Sequence, residues 1–122
     1  MKYTLQKKFT FEAAHNLPHH DGKCFRRHGH SWVGWVEIEG EYLNAEGSKQ
    51  GMLMDYSDIK RVLTPLVENY LDHYDLNETT GLENPTSENI AKWVYDRLKP
   101  ELPQLSRVII EETCTSKCIY CG

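Results

Sequence analysis

At 122 residues the chain has the length of one domain, and its 39% apolar content is enough to build a core. A formal charge of −4 provides none of the basic excess that a nucleic-acid surface requires, and no stretch approaches the roughly 20 apolar residues of a membrane-spanning helix. The opening "MKYTLQKKFTFEAAH" has no apolar run of the kind a secretory leader needs, so the expected compartment is the reducing cytoplasm.

The first predicted element is a half-buried strand in "KKFTFEAAH", where Phe9, Phe11, Ala13 and His15 alternate with Thr10, Glu12 and Ala14. A polar loop, "NLPHHDGKCFRR", leads to a second strand in "HGHSWVGWVEIEGEY". There His28, His30, Trp32, Gly34, Val36 and Ile38 share a face. "LNAEGSKQG" reads as a loop. Ile59, Val62, Leu63, Leu66, Val67, Tyr70 and Leu71 then form one helical stripe, with Asp55 or Ser57 as N-cap. Pro65 lies within that stripe and predicts a kink. "NETTGLENP" reads as a loop, and Thr86 caps a second helix whose stripe is Ile90, Trp93, Val94, Arg97 and Leu98. "RVIIEETC" and "KCIYC" complete the set as strands. Strands and helices are segregated along the chain, strand-strand-helix-helix-strand-strand. This favours an α+β fold with a four-stranded antiparallel sheet and two helices on one face.

The chemistry concentrates first in His15, His28 and His30. Residues i and i+2 of a strand face the same side, so "HGH" presents two imidazoles together. His15 ends the preceding strand on its apolar face. Antiparallel pairing brings that end to the start of the second strand, and the three rings converge. Three imidazoles with a fourth position open are the donor set of a catalytic zinc site. The plainer alternative is three ordinary strand histidines. His19 and His20 lie in the loop and read as solvated.

Cys24 precedes His28 in a segment carrying Lys23, Arg26 and Arg27, and cations of this kind favour a reactive thiolate. A buried, inert cysteine is the alternative. Asp72 and His73 follow the last apolar residue of the first helix; they can pair only if the chain has left the helix by then. Glu111 and Glu112 end the third strand, and only one of them can face the inner side of the sheet.

Taken together, "FTFEAAHNLP", "KCFRRHGHS", "MDYSDIK", "LDHYDLN", "LENPTSENIAKWV" and "ETCTSKCIYCG" resemble the 6-pyruvoyltetrahydropterin synthase family over nearly the whole chain. The short Cys24–His28 spacing and the C-terminal "ETCTSKCIY" are more similar to its carboxy branch, which serves queuosine biosynthesis. The resemblance implies a tunnelling fold spanning residues 1–122 as one domain, zinc on His15, His28 and His30, and Cys24 as the base. It implies Asp72 and His73 as acid/base partners and Glu112 as the anchor of the pterin ring. It further implies a pterin triphosphate substrate that loses triphosphate and acetaldehyde, and a homo-oligomer, a hexamer above all, with active sites between subunits. Arg26 and Arg27 are candidates for the triphosphate. The rivals are triphosphate elimination without side-chain cleavage, and a zinc-stabilised binding module without catalysis.

Cys114, Cys118 and Cys121 resemble the cluster-binding loop of radical S-adenosylmethionine enzymes. Such loops lie early in a large barrel, whereas Gly122 alone follows Cys121. If the strand continues through Cys121, it faces the side opposite Cys118. The expectation is three thiols that do not converge.

Overall fold

The computed structural model describes residues 2–122. Strands β1 (Tyr3–His15) and β2 (His28–Gly40) pair antiparallel along their whole length, from Tyr3 opposite Gly40 to His15 opposite His28. Strand β4 (Leu105–Thr113) pairs with the other side of β2, and β5 (Ser116–Tyr120) with the outer edge of β4.

The expected four-stranded antiparallel sheet needs one correction. A two-residue strand, β3 (Tyr74–Asp75), lies parallel to β1 at Ala13 and Ala14, giving a five-stranded mixed sheet in the order β3-β1-β2-β4-β5. Two residues carry no alternation, so nothing in the sequence marks them as a strand. The overall class is nonetheless α+β.

Helix α1 (Tyr56–Leu66) is capped by Asp55, not Ser57; the Asp55 carboxylate accepts from the Ser57 N–H. Pro65 lies inside α1, and the helix then continues as a π-helical turn over Val67–Leu71. The proline removes one bond of the α ladder, and the wider winding follows directly after it. A short helix, α2 (Leu76–Thr79), occupies ground expected to be loop, because Asp75 caps it by accepting from the Asn77 N–H. Helix α3 (Ser87–Leu98) begins as expected at Thr86, whose hydroxyl accepts from the Asn89 N–H.

The helices cover the sheet face that carries Phe9, Phe11, Trp32, Val36 and Ile110, and these pack with Ile59, Leu71, Ile90 and Val94 into one buried cluster. Phe9, Phe11 and Trp32 form a continuous stack, with ring centroids 6.0 and 5.6 Å apart. Trp32 is fully buried, and its indole N–H donates to the Ala13 carbonyl at 3.2 Å. Gly34 stands opposite Phe9, and a Cβ there would lie 2.1 Å from Phe9 Cζ. The missing side chain is therefore the slot into which the phenyl ring fits. Gly34→Ala is expected to lower stability by about 1–3 kcal/mol, as overpacked cores do. The measurement is the midpoint of urea unfolding at unchanged m-value.

Candidate metal and active site

Full-length pairing of β1 and β2 sets His15 directly across from His28, with His30 one pleat further in. Their rings meet edge to face, His15 at 4.6 Å from His28 and 5.1 Å from His30 between centroids. Trp32 forms the floor of this group, 5.0 Å from the His15 ring. His15 is buried, and that burial pushes its imidazole below the ordinary histidine pKa, toward the neutral form that binds cations.

Two carbonyls fix the orientation of the rings. His15 Nδ1 lies 2.8 Å from the Pro85 carbonyl, and His28 Nδ1 lies 2.7 Å from that of Arg26. A carbonyl only accepts, so Nδ1 carries the proton in both rings and each Nε2 presents a lone pair. Those two Nε2 atoms face each other at 3.1 Å. His30 Nε2 is buried beside them without a hydrogen-bond partner. Lone pairs held this close repel unless a cation lies between them. The donor set therefore fits a divalent metal of the zinc type, for which imidazole nitrogen is a preferred ligand.

Glu112 completes the group: one ligand atom from each of His15, His28, His30 and Glu112 lies within 4.8 Å of the others. Among the described residues this is the one such group, and it contains no cysteine. Cys114 and Cys121 are exposed and Cys118 is half-buried on β5, so the terminal cysteines do not assemble a cluster site. His19 and His20 are exposed and engaged elsewhere, with Glu83 and with the Gly22 amide.

Cys24 lies in a single 3-10 turn, Lys23–Phe25, and its carbonyl accepts from the Leu17 N–H at 2.8 Å. The thiol is half-buried and outside the converging group. Arg27 is held by Asp75 and donates to Asn16 Oδ1 at 3.1 Å, so its guanidinium is not free. Arg26 is exposed.

Asp72 and His73 do pair, with Asp72 Oδ2 2.9 Å from His73 Nδ1. The chain has left the π turn by then, and both residues are clamped onto the main chain of β1. The Glu12 N–H donates to Asp72 Oδ1 at 2.9 Å, and the His73 N–H donates to the Glu12 carbonyl at 2.6 Å. The first of these bonds holds the Asp72 carboxyl below the usual carboxylate range. His73 lines an open hollow of ≈ 480 Å³ together with His30, Gly29 and Ser31. Cys24 does not line it.

Several supporting groups have no motif of their own: the carbonyls of Pro85 and Arg26, and the main chain of Glu12. Asn77 is another, accepting from the Asn16 N–H and donating to the Asn16 and Glu83 carbonyls. It ties the residue after His15 to the segment that supplies Pro85. The one sequence signal for it is its place in "LDHYDLN".

The family model described as 6-pyruvoyl tetrahydropterin synthase matches residues 4–122. The chain belongs to the 6-pyruvoyl tetrahydropterin synthase family. It is 51% identical, over 97% of its length and 92% of the relative's, to the 6-carboxy-5,6,7,8-tetrahydropterin synthase of Synechocystis. It is 35% identical to the enzyme of that name from Haemophilus influenzae, covering 97% of this chain and 98% of the other. Among solved structures, the 6-pyruvoyl tetrahydropterin synthase of Caenorhabditis elegans superposes with a TM-score of 0.84 at 28% identity, covering 100% and 96% of the two chains. A Wolinella succinogenes protein shares the fold with a TM-score of 0.82 at 18% identity. The fold of the family is thus the fold of this chain.

His73 is, among the described residues, the one non-glycine with a left-handed backbone, at φ 66°. An L-residue is strained there and glycine is not. His73→Gly is expected to raise the urea midpoint by the equivalent of about 1 kcal/mol. The exposed pairing with Asp72 that it removes adds little to stability.

Proposed function

We propose that this protein converts 7,8-dihydroneopterin triphosphate to 6-carboxy-5,6,7,8-tetrahydropterin, releasing acetaldehyde and triphosphate, as a cytoplasmic step of queuosine biosynthesis. The observation that carries this reading is the convergence of three histidines whose Nε2 atoms have no use for one another. The 51% identity to a relative named for that reaction directs it to the pterin product. Zinc on His15, His28 and His30 would supply Lewis acidity, polarising the hydroxyls of the substrate side chain and acidifying the carbons beside them.

Cys24 takes the proton as thiolate. His73 returns a proton from Nε2: its Nδ1–H is held by Asp72, which the Glu12 amide keeps ionised. Glu112 accepts from the amino and ring N–H groups of the pterin. Cys24 is absent from the hollow lined by His73 and His30. That supports a site assembled from two copies of the chain, in a homo-oligomer of hexameric type. The exposed outer edge of β5 and the stretch of β1 not covered by β3 leave unpaired main-chain groups through which copies can join.

The decisive assay incubates the zinc-loaded protein with dihydroneopterin triphosphate and identifies the products by mass spectrometry. The expected result is the carboxylated tetrahydropterin with equimolar acetaldehyde. A pyruvoyl product without acetaldehyde would overturn the proposal in favour of the reaction for which the Caenorhabditis elegans protein is named. Cys24→Ala is expected to retain stoichiometric zinc and lose turnover by about 100-fold or more, the usual weight of a general base. An active, zinc-loaded Cys24→Ala would remove Cys24 from the mechanism.

A further inference from the structure

We infer that Glu112 is the fourth protein ligand of the metal in the substrate-free protein, and that an incoming substrate displaces it. Around a tetrahedral cation the edge between two ligand atoms is about 1.6 times the metal–ligand distance, or about 3.3 Å for bonds of about 2.0–2.1 Å. Glu112 Oε1 lies 3.1 Å from Nε2 of His15 and 3.1 Å from Nε2 of His30. His15 Nε2 lies 3.1 Å from His28 Nε2. Three edges of the tetrahedron are therefore already close to length, on protein atoms alone.

The carboxylate is not there as an ordinary hydrogen-bond acceptor. His30 Nε2 forms no hydrogen bond, although Glu112 Oε1 is only 3.1 Å away. The oxygen lies off the line along which an N–H would point. The two atoms share a common centre without bonding to each other, as two ligands of one ion do.

The backbone explains how the side chain arrives. Glu111 pairs with Lys117 and Thr113 with Ser116, leaving Glu112 as the extra residue of a bulge in the β4–β5 ladder. A bulge re-aims a side chain and increases the local twist. Glu111 takes the opposite face, where its carboxylate accepts from the Trp35 indole N–H at 3.1 Å. The two adjacent glutamates are thus sorted, one to each side of the sheet.

Exposure ranks the candidate ligands, with the His30 side chain at 23% between the extremes. The His15 side chain is 1% exposed and that of Glu112 is 32% exposed. His15 and His28 are each backed by a carbonyl, which fixes their rings. Glu112 is the ligand that can swing out to water. With it in place, four protein groups close the site in the manner of a structural metal; with it released, a coordination position opens for a substrate oxygen. The released carboxylate then stands beside the metal as an acceptor for N–H donors. This last step rests on the pterin reading above, and it makes ring recognition and opening of the metal one event, since one carboxylate cannot do both at once.

The test replaces the native metal of the full-length protein with Co²⁺ and records its visible ligand-field spectrum in wild type, Glu112→Gln and Glu111→Gln. Zinc affinity is measured in parallel against a chromophoric chelator. Glu112→Gln is expected to weaken zinc binding by about 10–100-fold and shift the cobalt bands, with Glu111→Gln unchanged in both. Glu112→Asp, which keeps the carboxylate, should recover part of the affinity. Adding an unreactive pterin without a side chain should shift the wild-type spectrum toward that of Glu112→Gln. Wild-type affinity and spectrum in a folded Glu112→Gln protein would overturn the ligand assignment. A wild-type spectrum indifferent to saturating pterin would overturn the displacement. The metal measurements do not involve the substrate, so they stand or fall separately from the product assay.

Discussion

The candidate site is organised around a repulsion. Three imidazoles are folded together with two nitrogen lone pairs 3.1 Å apart and a third nitrogen without a partner, over the face of a buried tryptophan. Their other nitrogens, where carbonyls engage them, are already committed. Such a donor set fits a cation between the nitrogens. The pairing of β1 with β2 over thirteen residues is what enforces it. A slip of one residue would send the rings of one strand to the opposite face of the sheet. The Phe9–Gly34 fit guards the register, because only a strand position without a side chain can lie beneath that ring.

A second constraint is carried by main chain alone. Asp72 and His73 are presented by no strand or helix of their own but are clamped to the amide and carbonyl of a single residue, Glu12. Glu12 lies one residue before Ala13, whose carbonyl accepts from Trp32, and three before His15. Metal group and dyad are consequently built on the same few residues of one strand. A disturbance of β1 reaches both.

The residues of the site were legible where chemistry and periodicity coincide. His15, His28 and His30 stand out because strand alternation puts all three on one face, and a strand end is where they can meet. Asp55, Thr86 and the apolar stripes were equally visible as caps and faces. The short strand Tyr74–Asp75 was not, since its pairing is decided by where the π turn delivers the chain. At Pro65 the sequence announces a missing N–H but not the π turn at Val67–Leu71 by which the following residues absorb it. Glu112 was visible as a carboxylate at a strand end. Its approach to the histidines depends on a bulge, and a bulge has no signature here beyond two consecutive glutamates. The cysteine run failed in the opposite way: a recognisable spacing in a place where the hairpin spreads the thiols apart.

The π turn at Val67–Leu71 has a consequence for how this chain tolerates change. An α-helix advances about 100° and 1.5 Å per residue. A wider turn of this kind absorbs one residue more than the regular ladder would, so it sets the phase at which the chain exits. Loss of any one residue there would leave the core stripe of α1 intact. It would also rotate the exit by about a quarter-turn or more and carry Asp72 away from the Glu12 amide. In this segment, the number of residues matters as much as which residues they are.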